Sequence, residues 1–138
     1  MSATAYSSNA YASNPYGTLI GRILLSSLFI PAGFSKLTAI GGTAAYFGSM
    51  GLPAPTIVAV LVGLLELFGG LAVLVGFKTR IAAIALGLFS IASALVAHTN
   101  FADMMQMINF QKNIAIAGGF FVLAAAGAGA LSIDAKRG

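Results

Sequence analysis

Four long apolar stretches, at about residues 18–37, 55–77, 80–98 and 113–131, constrain this chain more than any other feature. Each holds roughly twenty residues, enough for an α-helix to cross ~30 Å of hydrocarbon at 1.5 Å per residue. Of the 138 residues, 59% are apolar and only 7% charged, too few charges to keep a soluble surface wet. Lipid accepts an apolar surface, but inside it every backbone polar group needs an internal partner, which long helices supply. The expected fold class is all-α, an integral membrane four-helix bundle. Pro55 suits a first helical turn. The turn Gly76-Phe77-Lys78-Thr79-Arg80 is so short that the second and third spans form an antiparallel hairpin.

Residues 1–16 are small and polar and are expected to be a disordered tail, with the membrane domain covering 17–138. The first basic residue, Arg22, already lies inside an apolar run, so no cleaved signal peptide is expected. The two longer connections, Thr38 to Ala54 and Thr99 to Lys112, carry apolar residues that a solvated loop does not need. Thr43 to Met50 in the first, and the segment with Met104, Met105 and Met107 in the second, are predicted to form short interfacial helices. Arg22, Lys78, Arg80, Lys136 and Arg137 belong to the side of the termini and the short turn; Lys36 and Lys112 belong to the other. That bias puts both termini in the cytoplasm and the longer loops outside.

Charges within the spans are costly and point inward. Ala59, Gly63, Glu66 and Gly70 recur at helical spacing on one face of the second span, so Glu66 is predicted to face another helix. The first span has a matching stripe of Thr18, Arg22, Ser26, Phe29, Gly33 and Lys36, with Pro31 as a candidate kink. Side chains lean toward the N-terminus of their own helix, so on antiparallel helices Lys36 and Glu66 lean together while Arg22 and Glu66 lean apart. Lys36 is therefore the predicted partner, and Arg22 is expected to snorkel to headgroups. His98 ends the third span, on the small-residue stripe of Ala83, Gly87 and Ala94. Asn109, Lys112 and Asn113 enter the fourth from the same side, which predicts a polar vestibule above Glu66. The bland alternatives are a snorkelling Lys112, an interface His98 and a capping Asn113.

The chain has no cysteine and one histidine, which excludes disulfides, thiolate chemistry, cysteine-bound iron–sulfur clusters and a haem held by two of its own histidines. No metal site is expected. The net charge of +4 comes from residues set singly at the ends of apolar runs, so no nucleic-acid partner is expected.

GRILLSSLFIPAGFSKL (21–37), MGLPAP (50–55), ELFGGLAVLVGFKTRIAA (66–83) and NFQKNIAIAGGF (109–120) together resemble the DoxX family of small bacterial membrane proteins. The resemblance implies a four-helix domain of the bacterial inner membrane and a loose redox association, since members are often labelled oxidoreductases and relatives are subunits of quinone-linked oxidases. The family's polar positions fall on Arg22, Lys36, Glu66, Lys112 and Asn113. On this reading Glu66 and Lys36 are the candidate catalytic pair, and His98, Lys112, Asn113, Asn109 and Arg22 are candidates for binding a quinone or similar apolar ring compound. Electrons would come from a partner, because the chain carries no self-contained redox centre. The competing reading is a non-catalytic interaction or assembly subunit that docks in the bilayer to other membrane or redox subunits, or to further copies of itself. A small-molecule transporter coupled through Glu66 is the third, with no internal repeat in its favour.

Overall fold

The computed structural model describes residues 14–137, and those residues form helices and turns with no strand. The predicted tail therefore lies outside the described residues up to position 13. Its last residues are not tail: Asn14 accepts the Gly17 N–H at 3.2 Å and caps helix α1, Pro15–Thr38. Pro15 stands at a first-turn position, where its missing N–H costs nothing. The helix continues through Pro31.

A single non-helical residue, Ala39, separates α1 from the short helix α2, Ile40–Ser49, over the segment where a short helix was predicted. Helix α3, Pro55–Val75, and α4, Thr79–Ala97, form the hairpin. Helix α5 departs from expectation. It runs over Met104–Ala126, nine residues earlier at its start than Asn113, and the methionine-rich segment is its first turns rather than a separate short helix. Asp103 sets this start by accepting the Met105 N–H at 3.0 Å, and methionine and glutamine are good helix formers. The helix then stops at Gly127, before the predicted Leu131, because Gly127 and Gly129 both take φ of +83°, a region closed to most residues with a Cβ. Four of the helices, α1, α3, α4 and α5, are long and apolar enough to span a membrane.

The helices pack chiefly as two pairs, α1 on α3 and α4 on α5, with the hairpin joining the pairs and α2 lying against α3. The small-residue stripes explain why. Gly33 of α1 meets the backbone of α3 at Gly63 and Leu67, and Gly87 of α4 receives the Phe121 ring of α5. Between the pairs lies a core of Phe29, Val73, Leu86 and Phe120, with the Phe29 and Phe120 rings edge to face at 5.3 Å. Leu24, Leu61, Phe68, Ile81, Leu88 and Val122 point outward, an apolar belt suited to lipid.

The last segment is stapled to the hairpin turn. Asp134 of the short helix α6, Ile133–Arg137, accepts the Lys78 N–H at 2.7 Å and the Thr79 N–H at 2.9 Å, capping α4 from far along the chain. Its own N–H donates to the Gly76 carbonyl, and the Arg137 guanidinium lies 5.1 Å from the centre of the Phe77 ring. Burial pushes the Asp134 carboxyl up, but the Thr79 and Lys78 hydrogen bonds and the nearby Arg137 charge outweigh it and hold the carboxyl below its ordinary range. A pKa lowered by folding stabilises at pH above the unfolded value, and that contribution is lost as pH falls through the folded value. Asp134→Ala is expected to cost about 1 kcal/mol, as other lost caps do. Limited proteolysis should release the C-terminus faster in the variant at neutral pH, and the two proteins should converge once the pH drops below the ordinary carboxylate range.

Candidate functional site

Glu66 lies near the middle of α3, on the face of Ala59, Gly63 and Gly70, all buried as the stripe predicts, and Val73 beyond them is buried too. Gly33 and Gly63 lack side chains at the α1–α3 crossing, so the two backbones touch there and Lys36 is carried within reach. The Lys36 ammonium sits 2.8 Å from Glu66 Oε1, with the two side chains 27% and 6% exposed. The pair is the one side-chain salt bridge among the described residues, and it joins the partners that helix direction selected. An ion pair at this depth is held by mutual attraction in a low dielectric; removing one partner leaves a bare charge.

The pair stands on the wall of a cavity of about 460 Å³ formed by α1, α2, α3 and α4 with one residue of α5. Phe29, Phe47, Val62 and Phe89 supply apolar and aromatic surface, and Lys36, Glu66, Ser93, His98 and Asn113 supply polar groups. The structure thus brings together four of the sequence-predicted residues, Lys36, Glu66, His98 and Asn113, and leaves three apart. Asn109 is one helical turn, ~6 Å, farther out along α5. Lys112 points ~100° around the helix from Asn113 and is exposed.

Arg22 is the larger departure. It does not snorkel: it is 1% exposed, at the opposite end of α1 from Lys36. Its guanidinium donates to the carbonyls of Val73 at 3.0 Å, Leu74 at 2.9 Å, Ala128 at 2.7 Å and Leu131 at 2.9 Å. Val73 and Leu74 belong to the last turn of α3, where the regular helix donors have run out and Val73 O otherwise receives only the capping Gly76 N–H at 3.3 Å. Arg22 therefore caps α3 and ties down the 127–132 loop, a structural role.

Sequence reasoning missed Tyr46, Phe47 and Met50, which α2 and its end contribute to the cavity, and Ser93 and Phe89 of α4. For α4 the signal was present, since Phe89 and Ser93 follow one another at four-residue spacing and approach His98. For α2 there was none, because where a short helix folds back depends on the single break at Ala39. Among the described residues no three His, Asp or Glu side chains gather as a metal would require.

A bundle of helices long and apolar enough to span a membrane, with a lysine–glutamate pair on the wall of a cavity, defines a small polytopic membrane protein with a polar site. Residues 17–99 match the DoxX family, and the chain belongs to it. Inner membrane protein YqjF of Escherichia coli (strain K12) is 46% identical over 118 residues, 86% of this chain and 89% of that one. Inner membrane protein YphA of the same organism is 35% identical over 131 residues, 91% and 93% of the two chains. CatD of Bacillus subtilis (strain 168), provisionally named an oxidoreductase, is 35% identical over 79 residues, 57% and 58% of the two chains. No solved structure matches.

Proposed function

We propose that this protein is the membrane subunit of a redox system and that its cavity takes a quinone or similar apolar ring compound. The observation that carries the reading is the Lys36–Glu66 pair set in an aromatic-walled cavity of about 460 Å³, within the size range of small-molecule sites. Phe29 and Phe89 offer ring surfaces, while Lys36, His98 and Asn113 offer hydrogen-bond donors to ring oxygens. Glu66 is placed to carry a proton at its carboxylate. The ring compound would supply the two-electron chemistry, and a partner protein would exchange electrons with it. The partial likeness to CatD agrees with an oxidoreductase setting.

Glu66→Leu tests this. Leucine leaves Lys36 without its counter-ion, but that side chain is 27% exposed and can turn toward water, so insertion and helix content are expected to stay as in the parent. Binding of a short-tailed benzoquinol in detergent is expected to weaken at least tenfold. Quinone should also co-extract with the parent protein in mild detergent. A preparation that neither carries nor binds quinone, yet holds a fixed ratio of another membrane subunit, would overturn this reading in favour of an assembly role.

We further propose that both termini are cytoplasmic. Lys78, Arg80, Lys136 and Arg137 cluster at the hairpin-turn end, whereas at the other end Lys36 is neutralised by Glu66 and Lys112 stands alone. A phosphatase fusion after Gly42 is expected to be active and one after Lys78 inactive. The reverse pattern would invert the protein in the membrane.

A further inference from the structure

The cavity has a donor–acceptor asymmetry that distinguishes two forms of the proposed ligand. Glu66 is 4% exposed, and Oε1 is fully buried. Its contact is the Lys36 ammonium at 2.8 Å, and no hydroxyl or amide of the described residues donates to it. An ionised carboxylate only accepts, and it offers about four lone-pair positions, so one ammonium leaves most of that capacity unused. Lys36 has three donors and commits one direction to Glu66. Phe29, Val62 and Phe89 of the same cavity can neither donate nor accept a conventional hydrogen bond, and its other polar groups are Ser93, His98 and Asn113. A ligand oxygen seated beside the pair therefore meets an acceptor with lone pairs to spare and a donor with spare N–H groups.

We propose that the site holds the reduced, hydroxyl-bearing form of the ring, a hydroquinone or other phenol, in preference to the oxidised quinone. The inference rests on the functional reading above. A phenolic oxygen donates its O–H to the Glu66 carboxylate and accepts from the Lys36 ammonium, and both bonds are charge-assisted. A quinone carbonyl only accepts. It can take the Lys36 bond, but beside the pair it also turns its own lone pairs toward the carboxylate. A site built to accept from a hydroxyl discriminates against the analogue that lacks it, because the lone pairs Lys36 does not fill are left without a donor.

The test is anaerobic binding of decylubiquinol and decylubiquinone to the purified full chain in detergent. The reduced form is expected to bind about tenfold more tightly or better. For a two-electron couple, tenfold raises the midpoint potential of the bound ring by about 30 mV. Glu66→Gln keeps the size of the side chain but adds an N–H₂ donor, so the preference should fall to within about twofold. Glu66→Leu should abolish it too, which guards against a misfolded glutamine variant. Equal binding, or tighter binding of the quinone, would overturn the inference while leaving the cavity as a ring site. A preference that survives both variants would remove Glu66 from it. Failure of either form to bind would overturn the inference and the functional reading together.

Discussion

Arg22→Leu is expected to destabilise the protein by roughly 3–5 kcal/mol, more than any other single side-chain truncation in the bundle. The guanidinium serves four carbonyls: two at the end of α3, of which Val73 O also receives the Gly76 N–H at 3.3 Å, and two in the loop after α5. A buried carbonyl left without a donor costs about 1–3 kcal/mol, and the loop can recover part of that by opening to water. The damage should accordingly be localised. Thermal unfolding in detergent should shift down, and protease cleavage between Gly127 and Ser132 should appear well below the melting temperature. Arg22→Lys should rescue little. An ammonium is a point donor with three N–H bonds, and it cannot span carbonyls on two segments as a planar fork with five can. The site provides a built-in control, since Gly76, at φ +72°, lies against Arg22 and Ser132 and has no room for a Cβ. Gly76→Ala should reproduce the protease-sensitive loop with Arg22 in place. A lysine variant as stable as the parent would mean that charge alone, not the shape of the fork, is what this end of the molecule needs.

Gly33→Ala is expected to cost about 3 kcal/mol, the upper part of the range for overpacking. A Cβ at position 33 would overlap Leu67 N and come within 2.7 Å of the Gly63 carbonyl oxygen and 2.8 Å of Leu67 Cα. These are backbone atoms, which cannot step aside as the end of a side chain does. The crossing of α1 and α3 must open instead. Lys36 is one turn further along the same face, so the same substitution should loosen the ion pair and lower ring binding along with stability. Gly21→Ala is the matched control. It lies on the same helix with nothing within 4 Å of its added Cβ, and exchanging glycine for a better helix former should be neutral or favourable by up to ~1 kcal/mol. If the two alanine variants unfold alike, the close approach at Gly33 is not what sets the α1–α3 geometry.

The stripe on α3 was fully readable from the sequence. Ala59, Gly63, Glu66 and Gly70 lie on one face because a helix advances 100° per residue, and a mid-membrane carboxylate has to turn inward. The Lys36–Glu66 pair was readable for the same reason: the tilt of the Cα–Cβ bonds is a local property of each helix, and consecutive spans cross the membrane in opposite directions. Apolar composition located α1, α3 and α4 to within about three residues at each end. It failed for α5, where Asn109, Gln111 and Lys112 dilute the apolar signal but do not interrupt the backbone hydrogen bonding of a helix that Asp103 has already capped.

Local rules thus determined the number of spans, the buried face of each and the identity of the central ion pair, because helix periodicity and side-chain tilt are carried by residues three or four positions apart. Tertiary structure alone decided the role of Arg22 and the shape of the cavity. The carbonyls that Arg22 needs belong to Val73, Leu74, Ala128 and Leu131, and they are open to it only because α3 ends at Val75 and the chain after Gly127 leaves the helical path. No pattern around residue 22 encodes where two distant segments stop. A side chain that looked bound for the headgroups is drawn inward because the donors it offers match acceptors that exist only once the helices have packed.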